Sequence, residues 1–540
     1  MNITFYNFSY TVKKKTILYN VEASINQNEL MGILGSTGSG KSTLLELLTG
    51  SKKRTTGKLL FNGNEINSFN KRHIAYIKQE PIICNVLSIK ETLYFYNKLI
   101  NKKVVSYSEV LRYFGLYEQQ NTQVEHLSGG QKKRLSIICG ILSNPKIIFL
   151  DEPTSGLDSY YALETIKFLK NYSKEVITVL TIHQPNMEIW ELLDKICILE
   201  RGYQVYFGSR RNLNNSFKYH LDPLTTEVEF ILDKLNNINY HNLINIASDY
   251  ESSSNLNYDI VPYELPPLNK KVNIFMKFFL LLNRSSKFYT RSCKVLMTRI
   301  FIVFFIGLIE LILLDSGEHI FILNTKNETI YNFMRLMCYI LFKMFTVSLL
   351  PLASLGTLFE KKYITQNEIF MQYYNGPTYF LSNSIIETFV QILTAVIYSL
   401  ITWFPSFKTQ TLTNVYLLYA FVITLQMLVA NSIVQFVSTV TSNRDIAMLV
   451  FSSYLSVSFL LIIGQNLHYK NAILQNISFL RYPINAILVD LNNKWINLLL
   501  KQININYEQI IKLGFTGNVM VSVGIFVVFN LLTVLTLIFI

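Results

Sequence analysis

Gly35-Ser36-Thr37-Gly38-Ser39-Gly40-Lys41-Ser42 follows the apolar run Leu30-Met31-Gly32-Ile33-Leu34 and precedes Thr43-Leu44-Leu45-Glu46-Leu47-Leu48. The run predicts a buried strand and the later segment a helix, so the octapeptide reads as the loop between them. It fits G-x-x-x-x-G-K-[ST] at every fixed position, in the strand–loop–helix context that the pattern requires. Glycines let backbone N–H groups wrap an anion, and the helix N-terminus adds a favourable dipole. Gly35, Ser36, Thr37, Gly38, Ser39, Gly40, Lys41, Ser42 and Thr43 are therefore expected to cradle the phosphates of ATP. Lys41 would reach the β- and γ-phosphates and the Ser42 hydroxyl would hold Mg²⁺.

A second apolar run, Lys146-Ile147-Ile148-Phe149-Leu150, ends in Asp151-Glu152. Two carboxylates at the C-terminal end of a strand lie where open α/β sheets bind ligands. Asp151 is expected to bind Mg²⁺ through water, and Glu152 to polarise the attacking water.

Between these elements stands Leu127-Ser128-Gly129-Gly130-Gln131, then Lys132-Lys133-Arg134. Here the chain resembles the ATP-binding-cassette (ABC) ATPases, whose signature is LSGGQ. The resemblance implies roles for further residues. Gln79, in Tyr76-Ile77-Lys78-Gln79, is similar to the Q-loop glutamine that senses Mg²⁺ and touches the membrane domain. Asp158, in Ser155-Gly156-Leu157-Asp158, is similar to the D-loop aspartate. His183, closing the predicted strand Val176–Leu180, is similar to the switch histidine at the γ-phosphate. Tyr10 stands where the family places an aromatic that stacks on adenine. Ser128, Gly129, Gly130 and Gln131 would act on the nucleotide of a second chain, so the resemblance implies a dimer.

Of 49 Lys+Arg and 36 Asp+Glu, only 15 and 10 fall after residue 290. Half the chain is hydrophobic, 16% is charged, and the mean hydropathy is +0.27. Soluble chains carry about 25% charged residues, so the pattern is a charged half followed by an apolar half. The net charge of +13 does not point to nucleic acid, because the basic residues are scattered as pairs such as Lys102-Lys103 and Arg210-Arg211. An anionic membrane surface accounts for them as well. No two cysteines have metal-ligand spacing, and no disulfide is expected. The N-terminus, Met1 to Tyr6, lacks a basic stretch followed by an apolar run, so the charged half is expected in the cytosol.

Six apolar stretches approach the roughly 20 residues that a bilayer needs. They are 295–314, 336–358, 380–404, 415–437, 446–463 and 519–540. Six crossings from a cytosolic start return the C-terminus to the cytosol. Lys361-Lys362 and Arg444 then lie inside, whereas Lys470, Arg481, Lys494, Lys501 and Lys512 lie in a long outer loop, against the positive-inside trend. That loop contains 473–491, read as a re-entrant or interfacial hairpin. Residues 213–290 read as a linker followed by an amphipathic connecting helix at 270–287. The domains expected are 1–212, that linker, and 291–540. Glu310, Lys343 and Glu387 lie within spans, and are read as structural ion pairs or snorkelling groups before a functional site.

The order cassette then membrane half resembles the G subfamily (White/pigment-precursor type) of ABC half-transporters. Ser128 through Ile137, Leu150 through Ser159, a loop from Phe359-Glu360-Lys361-Lys362 to Glu368, and Tyr379-Phe380 with Glu387 carry that resemblance. Gln131 departs from it, since this branch often has Glu there, and the final outer loop has no cysteines. The fold expected is an α/β P-loop nucleotide-binding domain followed by an all-α six-helix transmembrane domain. The function implied is ATP-driven export of a small hydrophobic or amphipathic compound such as a lipid, sterol or xenobiotic. Its setting would be the bilayer of the plasma membrane or an internal membrane, beside a second half-transporter. An ATP-gated channel or regulator is the alternative.

Overall fold

The computed structural model describes residues 1–100, 107–213, 244, 272–315, 338, 340–403, 413–465, 478–490 and 513–539. Most of the expected linker lies outside them, as do Lys470, Lys494, Lys501 and Lys512. Two compact units emerge: Met1–Asn273 with Asn367–Tyr373, and Ile274–Gln366 with Tyr374–Ile540.

The first unit is built on ten strands: β1 (Asn2–Val12), β2 (Lys15–Asn26), β3 (Leu30–Leu34), β4 (Thr56–Phe61), β5 (Asn64–Ile66), β6 (Ile74–Ile77), β7 (Ile147–Leu150), β8 (Ile177–Thr181), β9 (Lys195–Glu200) and β10 (Tyr203–Ser209). Their order is β5-β4-β1-β2-β10-β9-β3-β8-β7-β6. The run β9-β3-β8-β7-β6 is parallel throughout. Strands β3, β7 and β8 are buried along their whole length, as expected of parallel strands covered on both faces. β3 has the predicted bounds, β7 begins one residue later, and β8 is displaced by one residue towards Thr181. Among the described residues these α-helices accompany the sheet: α1 (Lys41–Thr49), α2 (Ile89–Ile100), α3 (Tyr107–Tyr113), α4 (Gly129–Leu142), α5 (Ser159–Tyr172) and α6 (Met187–Leu192). Because β3, β8 and β7 are adjacent and parallel, the loops that leave their C-terminal ends share one edge.

Asn367–Tyr373 folds with this first unit although it lies far along the chain. The Tyr96 hydroxyl on α2 donates to Glu368 Oε1 at 2.8 Å, the Tyr96 and Tyr373 rings meet edge to face at 5.7 Å, and Met371 joins the apolar core under the sheet. Gln372, at φ 57°, ends the preceding helix. Its N–H bonds Ile369 O and that of Tyr373 bonds Glu368 O, the paired closure of a left-handed helix cap.

The second unit is helical. Among the described residues five helices are long and apolar enough to cross a membrane: Ile340–Phe370, Gly376–Thr402, Tyr416–Val440, Arg444–Ile462 and Gly514–Ile538; the bent pair Ile274–Arg291 and Leu296–Glu310 would make a sixth. The expected connecting helix is thus Ile274–Arg291, and the first expected span lies in Cys293–Asp315. Phe359–Glu368, expected as a loop, is instead helical, within Leu355–Phe370. It contains no Gly or Pro to break the helix, and its lysines find partners. Lys361 Nζ donates to Asn383 Oδ1 at 2.9 Å. Lys362 Nζ donates to the carbonyls of Ser438, Thr439 and Thr441 at 2.9, 3.0 and 2.7 Å, where a helix leaves its last carbonyls unpaired. Of the 473–491 hairpin, Arg481–Asp490 is a short helix.

Among the described residues, two buried carboxylates inside this bundle have close partners. Glu387 pairs with Arg299 at 2.9 Å, both buried, and accepts from the Tyr289 hydroxyl. Glu310 is held by hydroxyls: Tyr398 donates to both oxygens at 2.7 and 2.6 Å, and Thr346 donates at 2.6 Å. Lys343 Nζ points at Thr402 O, 3.4 Å away.

Candidate functional site

Gly35, Gly38 and Gly40 take φ of 150°, 83° and 105°, and at Gly40 the turn passes into α1 as its left-handed N-cap. A Cβ on Gly35 would lie 2.1 Å from the backbone Leu199 O, which demands glycine sterically; one on Gly40 would lie 2.6 Å from the Leu18 side-chain tip, and there the φ of 105° is what favours glycine. Gly38 faces open space. Lys41 Nζ folds back onto the carbonyls of Gly35 and Ser36, both at 2.8 Å. Burial lowers its ammonium below the usual lysine range, against the pull of Glu152, Asp151 and Glu200.

One strand away, Thr181 at the end of β8 bridges to the end of β7. Its hydroxyl donates to Asp151 Oδ1 at 2.7 Å and accepts from the Glu152 N–H at 2.8 Å. Ser42 Oγ donates to the same Asp151 oxygen at 3.1 Å. Glu152 has φ 45°, a left-handed backbone that costs a non-glycine residue on the order of 1–3 kcal/mol and is found clustered at functional sites. Gln79 Nε2 donates to Glu152 Oε2 at 2.9 Å. His183 Nε2 lies 2.9 Å from the Thr37 hydroxyl. The fold therefore gathers the phosphate loop, Gln79, Asp151, Glu152 and His183 at one sheet edge.

Other candidates lie elsewhere. Ser128 is the N-cap of α4, and it and Gln131 bond each other: Gln131 N–H to Ser128 Oγ at 3.2 Å, Ser128 N–H to Gln131 Oε1 at 2.9 Å. This is a capping box, which Gln closes as well as Glu. Gly129 faces open space, and a Cβ on Gly130 would meet Gly156 O at 2.9 Å. Asp158 caps α5 by accepting from the Tyr161 N–H at 2.9 Å. Tyr10 pairs with Leu18 across β1 and β2, and Leu18 is the residue that crowds Gly40. The Lys52 ammonium lies 5.7 Å from the Tyr10 ring centre.

Three participants are not among the residues to which the sequence assigned a role. Thr181 acquires its position from the strand order, with β8 between β3 and β7. Glu200 accepts from Ser36 Oγ at 2.7 Å. Lys133, 2% exposed, donates to the carbonyls of Lys78, Gln79 and Asp151 at 3.0, 2.8 and 2.9 Å. Burial pushes its ammonium down to about 8, with Asp151 and Glu152 opposing. In the sequence it stands inside the Ser128–Ile137 string, as a charge on what proves to be the buried face of α4.

These residues suit a magnesium nucleotide. The Ser39 hydroxyl is buried without a partner inside the loop, Gly38 leaves room for an anion, and Lys41 supplies a cation. Ser42, Asp151 and Gln79 offer hard oxygen donors, the kind Mg²⁺ takes together with substrate phosphates and water. Among the described residues no group of three or more His, Cys, Asp or Glu could hold a metal.

Residues 18–155 match the family model described as ABC transporter, and residues 276–491 match the ABC-2 type transporter model. ABC transporter G family member 4 of Arabidopsis thaliana is 30% identical over 451 residues, covering 79% of this chain and 74% of that protein. Member 12 of Dictyostelium discoideum is 28% identical, covering 84% and 74%. Member 7 of Dictyostelium discoideum is 29% identical over 484 residues, and the chain spans 58% of that relative's length. With a cassette of this geometry ahead of a multi-pass helical membrane unit, and relatives aligned across both, the chain belongs to the ABC transporter G family.

Proposed function

We propose that the protein is an ATP-hydrolysis-driven half-transporter that works as a dimer and exports a hydrophobic or amphipathic compound such as a lipid, sterol or xenobiotic. The single observation that carries this reading is the bond between Gln79 and Glu152 beside Asp151, Ser42 and Lys41. It brings a water-polarising carboxylate, a metal-binding set and a phosphate-binding cation to one edge.

In this reading Gly35 to Thr43 bind the phosphates, Tyr10 packs on adenine, and Ser42, Gln79 and Asp151 hold Mg²⁺. The metal would supply charge neutralisation on the phosphate oxygens. Glu152 orients the attacking water and takes its proton. Gln79 fixes the direction of that carboxylate, Thr181 holds the Glu152 backbone through its N–H, and His183 reaches the terminal phosphate from β8. Ser128, Gly129, Gly130 and Gln131 close over the partner's nucleotide, with Asp158 beside them. Two chains, identical or different, complete two sites. Cassette closure would turn the membrane cavity outward and hydrolysis would reset it. The termini would be cytosolic, in the plasma membrane or an internal membrane.

The test is the ATPase activity of the full chain, purified alone and reconstituted, with a panel of sterols and lipids and with Glu152→Gln alongside. Mg²⁺-dependent turnover, absent from the variant and stimulated by one compound, is expected. A well-folded wild type without turnover would point to an obligate partner chain or to a gated regulator.

A further inference from the structure

We propose that Lys133 is a positioning residue that makes the Gln79 loop and the Asp151–Glu152 strand end follow the movements of the signature helix α4. This rests on the ATPase reading above and deepens it.

An ammonium has three N–H donors, and Lys133 spends one on each of three carbonyls. Lys78 and Gln79 lie beyond β6, and Asp151 lies at the end of β7. Bonds from a charged donor are stronger than neutral ones, so the two strand ends, already joined by the Asp151 N–H to Ile77 O bond at 2.8 Å and by the Gln79–Glu152 side-chain bond, are both tied through their backbones to a third element. That element is α4, and Lys133 lies four residues after Gly129, on the same helix face. The Ser128–Gln131 capping box makes the first turn of α4 a closed unit, so what displaces Ser128 displaces Lys133. In the dimer, Ser128 would touch the partner's nucleotide, while Gln79 and Glu152 serve the chain's own. Lys133 therefore links the two nucleotides through one helical turn.

A purely structural lysine would fill the same space and predicts otherwise. The experiment uses the full chain in lipid nanodiscs, comparing wild type, Lys133→Met, Lys133→Arg and Lys132→Met. Lys132, half-buried, donates to Glu125 O at 3.3 Å and to none of the three carbonyls that Lys133 holds, and is the control. Lys133→Met is expected to lower kcat up to about 10²-fold, the scale of an ångström-level misplacement. Its KM for ATP should stay near wild type, with partial rescue in Lys133→Arg. Hydrogen exchange on the same samples, with ATP added, is expected to show faster exchange at residues 79–80 and 151–152 in Lys133→Met, and wild-type exchange in Lys132→Met. Unchanged exchange at both loops, or losses of kcat and ATP affinity in equal proportion, would overturn the proposal. A wild type without turnover would strike the ATPase reading alone, because the exchange comparison does not depend on turnover.

Discussion

Gln79 and Glu152, 73 residues apart in sequence, are joined by a 2.9 Å bond from the amide nitrogen to a carboxylate oxygen. The bond aims a carboxylate whose backbone is already twisted into the left-handed region. Glu152→Gln keeps the size of the side chain and removes its basicity. Turnover is expected to fall by about 10²–10⁴, the usual contribution of a general base, with ATP affinity retained. Phosphate release and the binding of a fluorescent ATP analogue, measured together, check this. Turnover at the wild-type rate would remove Glu152 from the chemistry.

Gly35 is the tightest glycine of the loop, with a would-be Cβ 2.1 Å from a backbone carbonyl. Backbone cannot step aside as a side-chain tip can. Gly35→Ala should therefore abolish ATP binding and destabilise the cassette, whereas Gly38→Ala, in open space but at φ 83°, should fold with weakened binding. Thermal denaturation with and without Mg-ATP separates the two. Equal behaviour would show that the loop relaxes more than its geometry implies.

Arg299 and Glu387 are a buried ion pair with exposures of 4% and 0%. Removing one partner strands a charge, and in buried sites this costs about 3–5 kcal/mol. Arg299→Met and Glu387→Met should each lower the melting temperature in detergent, and the double variant should recover most of the loss. A double variant as unstable as the sum of the singles would mean that the pair acts through other contacts, such as the hydroxyl of Tyr289.

Cys197 lies in β9 with no exposure, and burial pushes its thiol up to about 12. At pH 8 about one part in ten thousand is then thiolate, the form that reacts. Iodoacetamide is expected to leave Cys197 unmodified in the folded protein and to label it in denaturant. Because the folded thiol stays almost wholly neutral, native labelling should remain far slower than labelling in denaturant throughout pH 7 to pH 9. Peptide mass analysis reads the outcome, and rapid native labelling would mean that the sheet opens at β9.

The most legible parts of this protein were those in which one stretch of sequence carries both an element and its chemistry. Leu30–Leu34 with Gly35–Ser42 is such a stretch, and the strand bounds came out as read. What escaped were side chains placed by tertiary neighbours. Thr181 is unremarkable until β8 is known to lie between β3 and β7, and Lys133 reads as one more cation in Lys132-Lys133-Arg134 until α4 turns it inward. In the membrane unit, Glu387 does form the ion pair expected of it, but Arg299 stands within an apolar stretch that periodicity could not assign a partner. Glu310 is satisfied by Tyr398 and Thr346, a solution that a search for opposite charges does not anticipate. The Phe359–Glu368 stretch resembles a loop of the family, yet it is helical, because its long side chains find partners that sustain a helix.

The seven residues Asn367–Tyr373 have a practical meaning for anyone dissecting the molecule. A fragment ending at Asn273 would contain every nucleotide-binding motif, yet it would lack Met371 from its core and leave the Tyr96 hydroxyl without Glu368. The cassette is a discontinuous domain, closed by a plug encoded some hundred residues downstream. Excised at its apparent boundary, it would present an apolar socket to solvent, and its poor solubility would report on the missing plug rather than on any defect in the engine.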